Sequence, residues 1–134
     1  MSIASIIAVS GMNAAALRLQ VSASNIANAQ SDGPLPDAEN AANYPAAYNA
    51  LRIEQSANAD GSTRANLARM SPGIVAAFDP AAPYANAQGL VAAPNAALWN
   101  ELIQQLFART GFAANAKMAH ADAQMTKSLI DILA

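Results

Sequence analysis

Apolar residues recur at helical spacing through the first thirty positions of the chain. Steps of three and four residues trace one seam, which becomes polar towards its C-terminal end: Ile3, Ile7, Ser10, Ala14, Leu17, Val21, Ser24 and Asn28. Four larger apolar residues lie off this seam, namely Ile6, Met12, Leu19 and Ile26. The pattern therefore predicts a helix over 1–30 that is apolar on more than one side and packs against several neighbours.

Both ends of this predicted helix carry a boundary signal. Ser2 can accept a hydrogen bond from a free backbone N–H of the first turn, as an N-cap does. At the other end, Gly33 suits a left-handed turn and Pro34 cannot continue a helix. We therefore expect the helix to end between Gln30 and Pro34.

A second helical pattern covers residues 95–134. One face is formed by Leu98, Leu102, Leu106, Ala113, Ala116, Ala123, Ile130 and Leu133, flanked by Trp99, Ile103, Phe107 and Phe112. Asn95 is the predicted N-cap, and Glu101 suits the positive end of the helix dipole. About 40 residues at 1.5 Å per residue would span roughly 60 Å, which is typical of a coiled-coil or tube-forming element. Gly111 in its interior predicts a close helix approach or a bend.

The middle of the chain is divided from the two ends by its prolines. All seven lie between Pro34 and Pro94, and proline is excluded from helix interiors. Alternating residues predict short strands over 48–56, 63–70 and 73–78, with a turn over 58–61 between the first two. Residues 31–43 are predicted to be a linker and residues 81–93 a loop. The segment 31–94 is thus expected to be a small β-ribbon with irregular loops, supported by the helices.

Together these patterns predict one mainly α domain over 1–134, in which two long terminal helices form a coiled-coil-like pair. The turns of the middle segment can return the chain, so we expect the pair to be antiparallel or nearly so. The predicted contact places Ile7, Ala14, Leu17 and Val21 against Leu102, Leu106, Ala113, Ala116 and Ala123.

Composition narrows the class of function. Hydrophobic residues make up 54% of the chain, but 36 of them are alanines, which bury little surface each, so few large side chains remain for a core. Charged residues make up 12% and the net charge is −2, which gives no sign of a nucleic-acid or anionic-membrane partner. The chain has no cysteine, so disulfide and thiol chemistry are excluded.

The sequence contains no assembled catalytic or metal-binding motif. His120 is the only histidine, and Asp122 falls on a different helix face, so a solvated or interface histidine is the simpler interpretation. Asp37 and Glu39 lie in the linker without a basic residue nearby in sequence. We therefore predict that the protein is not an enzyme and needs no cofactor or metal.

Two asparagines near the end of the first helix are the more informative polar residues. Asparagine is a poor helix former unless its amide finds partners. We expect Asn25 and Asn28 to form hydrogen bonds between helices or subunits, with plain capping of the helix end as the alternative.

The first twenty residues resemble neither a secretory signal nor a membrane span. They begin apolar but lack the basic segment of a signal peptide, so no cleaved signal is predicted. Polar residues interrupt them before the roughly 20 apolar positions that a span requires, and we expect no membrane insertion. Export, if it occurs, is expected to use a dedicated route.

Both ends of the chain resemble the rod and hook proteins of the bacterial flagellum. The N-terminal part runs from Ser10-Gly11-Met12 to Ser24-Asn25-Ile26-Ala27-Asn28-Ala29, and its kernel is the small-Asn-Ile-Ala-Asn stretch. The C-terminal part runs from Asp79-Pro80 through Pro94-Asn95 to Leu129-Ile130-Asp131-Ile132. The order of these segments is similar to that of a short proximal subunit of the basal-body rod.

The resemblance implies a structural subunit that self-assembles through its terminal helices into the periplasm-spanning rod, a helical tube that transmits torque. It implies export through the flagellar type III apparatus, and partnership with that apparatus, with other rod subunits and with copies of itself. The implied assembly interface comprises Ile7, Ala14, Leu17, Val21, Asn25, Ile26, Asn28, Leu102, Leu106, Phe112, Asn115, Ala116 and Ile130. A secreted helical adaptor or export-apparatus binding module is the alternative.

Overall fold

The computed structural model of the chain describes residues 2–39 and 41–133. Two long helices flank four short strands, in the order α1, Ile3–Ala27; β1, Leu51–Ala57; β2, Thr63–Arg69; β3, Ile74–Phe78; β4, Leu90–Pro94; and α2, Leu98–Leu133. One turn of 3-10 helix covers Ala41–Asn43. Two terminal helices and the three predicted strands therefore occur in the predicted order, and the predicted bounds differ by a few residues.

α1 begins where its capping residue predicts. The Ser2 hydroxyl accepts a hydrogen bond from the backbone N–H of Ser5 at 3.0 Å, which confirms Ser2 as the N-cap. The helix ends at Ala27, and a turn over 28–30 follows it, so the helix is shorter than predicted.

The predicted role of Gly33 as a left-handed helix terminator is wrong. Among the described residues only two glycines, Gly61 and Gly89, have a positive φ. Gly33 instead pairs with Ala92 through two backbone hydrogen bonds of 2.9 and 2.8 Å. A Cβ at Gly33 would lie 2.5 Å from the backbone nitrogen of Ala47, so the position requires glycine because two backbone segments approach closely.

β1 and β2 form a two-stranded sheet joined by the predicted turn, in which Gly61 has a φ of 80°. The Asp60 carboxylate accepts hydrogen bonds from the Ser62 hydroxyl at 2.6 Å and from the Ser62 backbone N–H at 2.9 Å. These two bonds hold the pKa of Asp60 below its ordinary value of 3.8. The ionised carboxylate therefore favours the folded turn above that ordinary value, and the contribution is lost as the pH falls through the lowered pKa.

β3 and β4 form a second two-stranded sheet and pair antiparallel, from Ile74 opposite Pro94 to Phe78 opposite Leu90. β4 lies in the segment predicted to be a loop, so that prediction is wrong. β4 has only two large aliphatic residues, Leu90 and Val91, but Val91 is fully buried, and burial stabilises this strand more than its own residue preferences.

The class "mainly α" fits the fold only loosely, because helix makes up 48% of the chain and strand makes up 19%. The difference arises in the middle segment, where two small sheets replace the single ribbon that was expected. The fold is better described as two long terminal helices with two small sheets between them.

α2 begins three residues later than predicted, and Asn95 is not its N-cap. The first helical hydrogen bond runs from the backbone N–H of Glu101 to the Ala97 carbonyl at 3.1 Å. The Asn95 amide instead donates to the Pro72 carbonyl at 2.9 Å, which ties the end of β4 to the segment before β3. From Leu98, the 36 residues of α2 extend about 54 Å at 1.5 Å per residue.

The chain divides into two compact units. Unit 1 is made from Met1–Gln20, Ile53–Asn66 and Ile103–Ala134, and unit 2 from Val21–Arg52 and Leu67–Leu102. The buried apolar residues of unit 1 are all alanines, Ala8, Ala14, Ala15 and Ala108, within the described part. Those of unit 2 are Val21, Ala47, Ala50, Val91 and Ala92. Small side chains therefore form the interior of each unit.

Replacing Val91 with alanine should destabilise unit 2 by about 2 kcal/mol, because it removes two buried methyl groups and leaves a cavity. Val75 on the paired strand is the matched control, since it is 42% exposed and its replacement with alanine should cost less than about 0.5 kcal/mol. Urea unfolding of both variants measures the difference. Equal losses of stability in the two variants would show that the β3–β4 sheet has no buried side.

Candidate assembly interface

Unit 2 contains a group of buried and half-buried polar side chains between α1, the start of α2 and the start of β1. We call it the polar cluster: Ser22, Asn25, Tyr48 and Glu101. Ser22 and Asn25 are each 1% exposed, and Glu101 is 6% exposed. Buried polar groups destabilise a fold unless they are hydrogen-bonded, so their partners determine what the cluster does.

Asn25 lies at the centre of the polar cluster. Its Oδ1 accepts the backbone N–H of Leu51 at 3.0 Å, and its Nδ2 donates to the Leu51 carbonyl at 2.8 Å. The side-chain amide thus pairs with the first residue of β1 as a neighbouring strand would. The same Nδ2 donates to Glu101 Oε1 at 2.8 Å, and the Tyr48 hydroxyl donates to Oδ1 at 3.1 Å. Both donors and both acceptor positions of the amide are used.

The other members of the polar cluster complete its hydrogen bonds. The Ser22 hydroxyl donates to the backbone carbonyl of Glu101 at 2.7 Å. The hydroxyls of Ser24 and Tyr48 lie 3.1 Å apart and form a hydrogen bond. No buried side-chain nitrogen or oxygen in the described residues lacks a partner. The cluster therefore joins two helices and a strand without leaving an unsatisfied group.

The two asparagines selected from the sequence have different roles. Asn25 forms the predicted bonds between helices, whereas the Asn28 amide donates to the Ser24 carbonyl at 2.9 Å within its own helix end. The Ser31 hydroxyl also donates to Asn28 Oδ1 at 3.3 Å. Asn28 thus follows the alternative interpretation, capping of the helix end.

In unit 1 the two helices meet at a glycine. A Cβ at Gly11 would lie 2.5 Å from Asn115 Oδ1, so the asparagine side chain rests directly on the α1 backbone. That side chain is oriented by donating to the Gly111 carbonyl at 2.8 Å. The Ser2 hydroxyl donates to the Asp122 carboxylate at 2.6 Å. These contacts follow an antiparallel order within unit 1, and coiled-coil geometry stays a prediction.

Gly111 itself is not the site of close helix approach. A Cβ at this position would meet no atom within 4 Å. The helix also continues through it without interruption from Leu98 to Leu133. Close approach occurs instead at Gly11, the glycine in the interior of α1.

α1 is also held by residues 53–66, the part of the β1–β2 hairpin that belongs to unit 1. The Thr63 backbone N–H donates to the Ser10 hydroxyl at 2.9 Å, and the Arg18 guanidinium donates to Gln55 Oε1 at 2.7 Å. The Ile7 side chain lies 3.3 Å from the position of a Cβ on Gly61. The hairpin thus covers part of the α1 surface that includes Ile7.

The predicted intramolecular contact is wrong for four of its five α2 residues, because Leu102, Leu106, Ala113 and Ala123 are exposed and only Ala116 is half-buried. Leu102 is 43% exposed and Leu106 is 63% exposed, whereas Ala108, a smaller residue, is 2% exposed. On α1 the predicted positions Ala14 and Val21 are buried. Small side chains allow the closest helix approach, so the buried side of α2 is its small and polar side.

Large apolar residues of α2 lie at the surface. Those at least 43% exposed are Leu98, Trp99, Leu102, Ile103, Leu106, Phe107, Phe112, Met118, Met125, Leu129, Ile130 and Ile132. Isolated apolar residues on a surface need no explanation, but a long exposed row marks a site of interaction with another molecule.

The residues of the predicted assembly interface fall into three groups by exposure. Ala14, Val21 and Asn25 are buried; Ile7, Leu17, Ile26, Asn28, Asn115 and Ala116 are half-buried; Leu102, Leu106, Phe112 and Ile130 are exposed. The sequence did not indicate Ser22, Tyr48 or Glu101 as members of a shared site. Their signal, a serine three positions before an asparagine on a helix and one acidic residue in a first turn, is too common to select them. The role of the predicted set in assembly stays a prediction.

Other kinds of site have little support in the described residues. They contain no group of three or more metal-ligating His, Cys, Asp or Glu side chains. α1, over Ile3–Ala27, is long and apolar enough to cross a membrane by length and composition, a test that helices of soluble cores and signal sequences also pass. That result is weak support for a span and differs from the expectation of no membrane insertion.

Comparison with known proteins identifies a family for the N-terminal segment. Residues 7–34 match the family described as flagella basal body rod protein. The match agrees with the N-terminal part of the resemblance to flagellar rod proteins, and the C-terminal part, over 79–132, lies outside it. The family is structural and is not a family of enzymes. Comparison with individual curated proteins gave no significant match.

The matched segment contains the main contacts described above. It includes Gly11 of the close helix approach, together with Ser22 and Asn25 of the polar cluster, and it ends after the Gly33 bridge. The matched segment thus contributes contacts to other elements in both units.

Replacing Asn25 with alanine should destabilise the protein by about 3 kcal/mol, because it leaves buried hydrogen-bonding groups of Leu51 and Glu101 without partners. Asn28→Ala is the matched control and should cost less than about 1 kcal/mol, since its bonds are local and partly exposed. Denaturant unfolding compares the two variants. Similar losses from both would contradict a special role for the buried amide.

Alanine should have opposite effects at the two helix-interior glycines. Gly111→Ala should stabilise the protein by about 0.5 to 1 kcal/mol through helix propensity, because its Cβ has free space. Gly11→Ala should destabilise it, because the new Cβ overlaps Asn115.

Thermal unfolding of both glycine variants gives the sign of each effect. The double variant Gly11→Ala/Asn115→Ala is the control and should recover most of the loss, since it removes the overlapping side chain. A stabilising Gly11→Ala would show that the helices do not approach closely at that position.

Proposed function

We propose that the protein is a structural subunit of the flagellar basal-body rod that self-assembles through its terminal helices into a helical tube. The distribution of side chains carries this proposal. α2 buries its small and polar side and exposes its large apolar residues, and contacts between subunits would cover such a surface. The family match over residues 7–34 supports the same role.

The polar cluster suits a subunit that transmits torque. Hydrogen bonds have fixed partners and directions, whereas apolar contacts can slide over one another. Asn25 is bonded to both Leu51 and Glu101, so a displacement of α1 along α2 would break several buried bonds together. We propose that the cluster keeps these elements in register while the rod rotates under load.

We also propose that the chain is exported unfolded by the flagellar type III apparatus to the periplasm. The composition of the buried core supports this proposal. Its largest fully buried side chains are Val91, Asn25 and Ser22, so unfolding exposes little apolar surface per residue and requires little work. Since the matched family is structural, we propose no catalytic role.

A secreted helical adaptor or export-apparatus binding module is the competing proposal. It would place the same exposed row of α2 against one partner. The two proposals differ in stoichiometry, because an adaptor forms a closed complex of fixed size whereas a rod subunit adds further copies as its concentration rises.

Replacing Leu106 with aspartate should weaken self-association at least tenfold, or about 1.4 kcal/mol, by placing a charge in the contact between copies. Because Leu106 is 63% exposed, the helical circular dichroism of the dilute monomer should not change. Gln104→Asp, at an exposed polar position on the same helix, is the matched control and should change association less than about twofold.

Sedimentation velocity over a concentration series measures the association of all three proteins. A wild-type chain that stays monomeric at every concentration would contradict self-assembly. A single complex of fixed size with one other protein would favour the adaptor.

A further inference from the structure

Unit 1 presents a groove formed by α1 and the middle of α2. Its volume is about 810 Å³. Ala15 and Ala108, which are 8% and 2% exposed, lie at its base, and the more exposed Leu19, Leu106 and Phe112 line its sides. A groove with a base of alanines has room for large side chains from another element.

The same unit presents an apolar row near the C-terminal end of α2, which we call the terminal stripe: Ala121, Gln124, Met125, Ser128, Leu129 and Ile132. These positions follow the three-and-four spacing of one helix face. Met125, Leu129 and Ile132 are 60%, 62% and 79% exposed. The stripe therefore carries large apolar side chains that nothing in the described residues covers fully.

The terminal stripe cannot fill the groove of its own chain. Both surfaces lie on α2, where Thr110 and Ser128 are separated by about 27 Å along a continuous helix. A terminal stripe that occupies the groove must therefore come from another copy of the chain.

We propose that the terminal stripe of one copy binds in the groove of a second copy of this chain. The stripe is long enough to span the groove, because α2 contributes residues 106–113, about 12 Å, to the groove and residues 121–132, about 18 Å, to the stripe. They match in size, because Met, Leu and Ile side chains of the stripe meet the alanine base of the groove.

Charge also matches across this contact. Arg109 is exposed at the side of the groove. Asp131 follows Ser128 by three positions and precedes Ile132, which places its carboxylate at one edge of the stripe. A stripe bound in the groove can bring these opposite charges together at the border of the contact.

This inference rests on the proposed function and specifies which surfaces join. Groove and stripe are different patches, so each copy still offers a free stripe or a free groove after one contact has formed. Such a contact does not close on itself and leads to an open filament with a direction. Pairing of two stripes with each other would instead give a closed dimer.

Cross-linking between single-cysteine variants tests the contact, since the natural chain has no cysteine. Thr110→Cys places a thiol in the groove and Ser128→Cys places one in the stripe, both at exposed positions without a side-chain hydrogen bond among the described residues. The two variants are mixed at a concentration where the wild type associates and are treated with a short bis-maleimide. Gln88→Cys, in an exposed loop of unit 2, replaces either partner as the control.

The mixture of Thr110→Cys and Ser128→Cys should give at least tenfold more covalent dimer than either variant alone or any mixture with Gln88→Cys. A second pair, Ala16→Cys with Gln124→Cys, approaches the same contact from α1 and should behave in the same way. Dimers of Ser128→Cys alone would show that stripes pair with each other and would overturn the inference. Dimers of Thr110→Cys alone would overturn it by showing that grooves pair.

Failure of this inference can be distinguished from failure of the proposed function. If the proteins associate in sedimentation but neither mixed pair cross-links above the Gln88→Cys control, self-assembly holds and the contact between groove and stripe is wrong. If the wild type does not associate at any concentration, the proposed self-assembly is wrong and this inference is wrong with it.

Discussion

The close approach of the α1 and α2 backbones is the constraint on which the rest of the structure depends. In unit 1, Gly11 lets the Asn115 side chain rest on the α1 backbone, and alanines form the buried apolar interior. A contact of this kind admits no leucine or phenylalanine. The large apolar residues of α2 are therefore displaced to its outer sides, and the exposed row is a direct consequence of how tightly the helices meet.

The polar cluster fixes the relative positions of the elements it joins, which contacts between small side chains do not. Alanine contacts bury little area, and they do not distinguish strongly between one helix position and the next. Hydrogen bonds at Asn25 do distinguish them, because Leu51 and Glu101 must occupy fixed places to satisfy the amide. In unit 2 the positions of α1, the start of α2 and the start of β1 are thus specified largely by buried polar groups.

Much of the fold could be predicted from the sequence because its signals are local. The period of the apolar residues predicted both helices, Ser2 predicted the start of α1, and the Asn58–Gly61 turn predicted the first hairpin. β4 was missed because its residues have weak strand preference and are held by pairing with β3. The function of Gly33 was mistaken for the same reason, since its partner Ala92 lies far away in sequence.

The side of α2 that faces α1 could not be predicted from the sequence, for a different reason. Apolar size suggested that Leu102 and Leu106 would be buried, which is correct for a helix in a large core. Here steric fit decides between the faces, and the smaller Ala108 is buried instead. An apolar helix face that packs inside its own chain and one that binds another molecule have the same period in the sequence. The structure was therefore needed to tell which face of α2 is buried.

The hydrogen bond between Asn25 and Glu101 would be lost if the side-chain amide of Asn25 deamidated. Deamidation of Asn25 replaces its NH₂ group with oxygen, which removes the donor of the 2.8 Å hydrogen bond and places two carboxylates side by side in a buried position. The backbone of Asn25 lies within α1, where helical hydrogen bonds oppose the ring closure through which deamidation proceeds. The helix that positions the amide thus also preserves it, and a damaged subunit differs from an intact one by a buried repulsion in place of a bond.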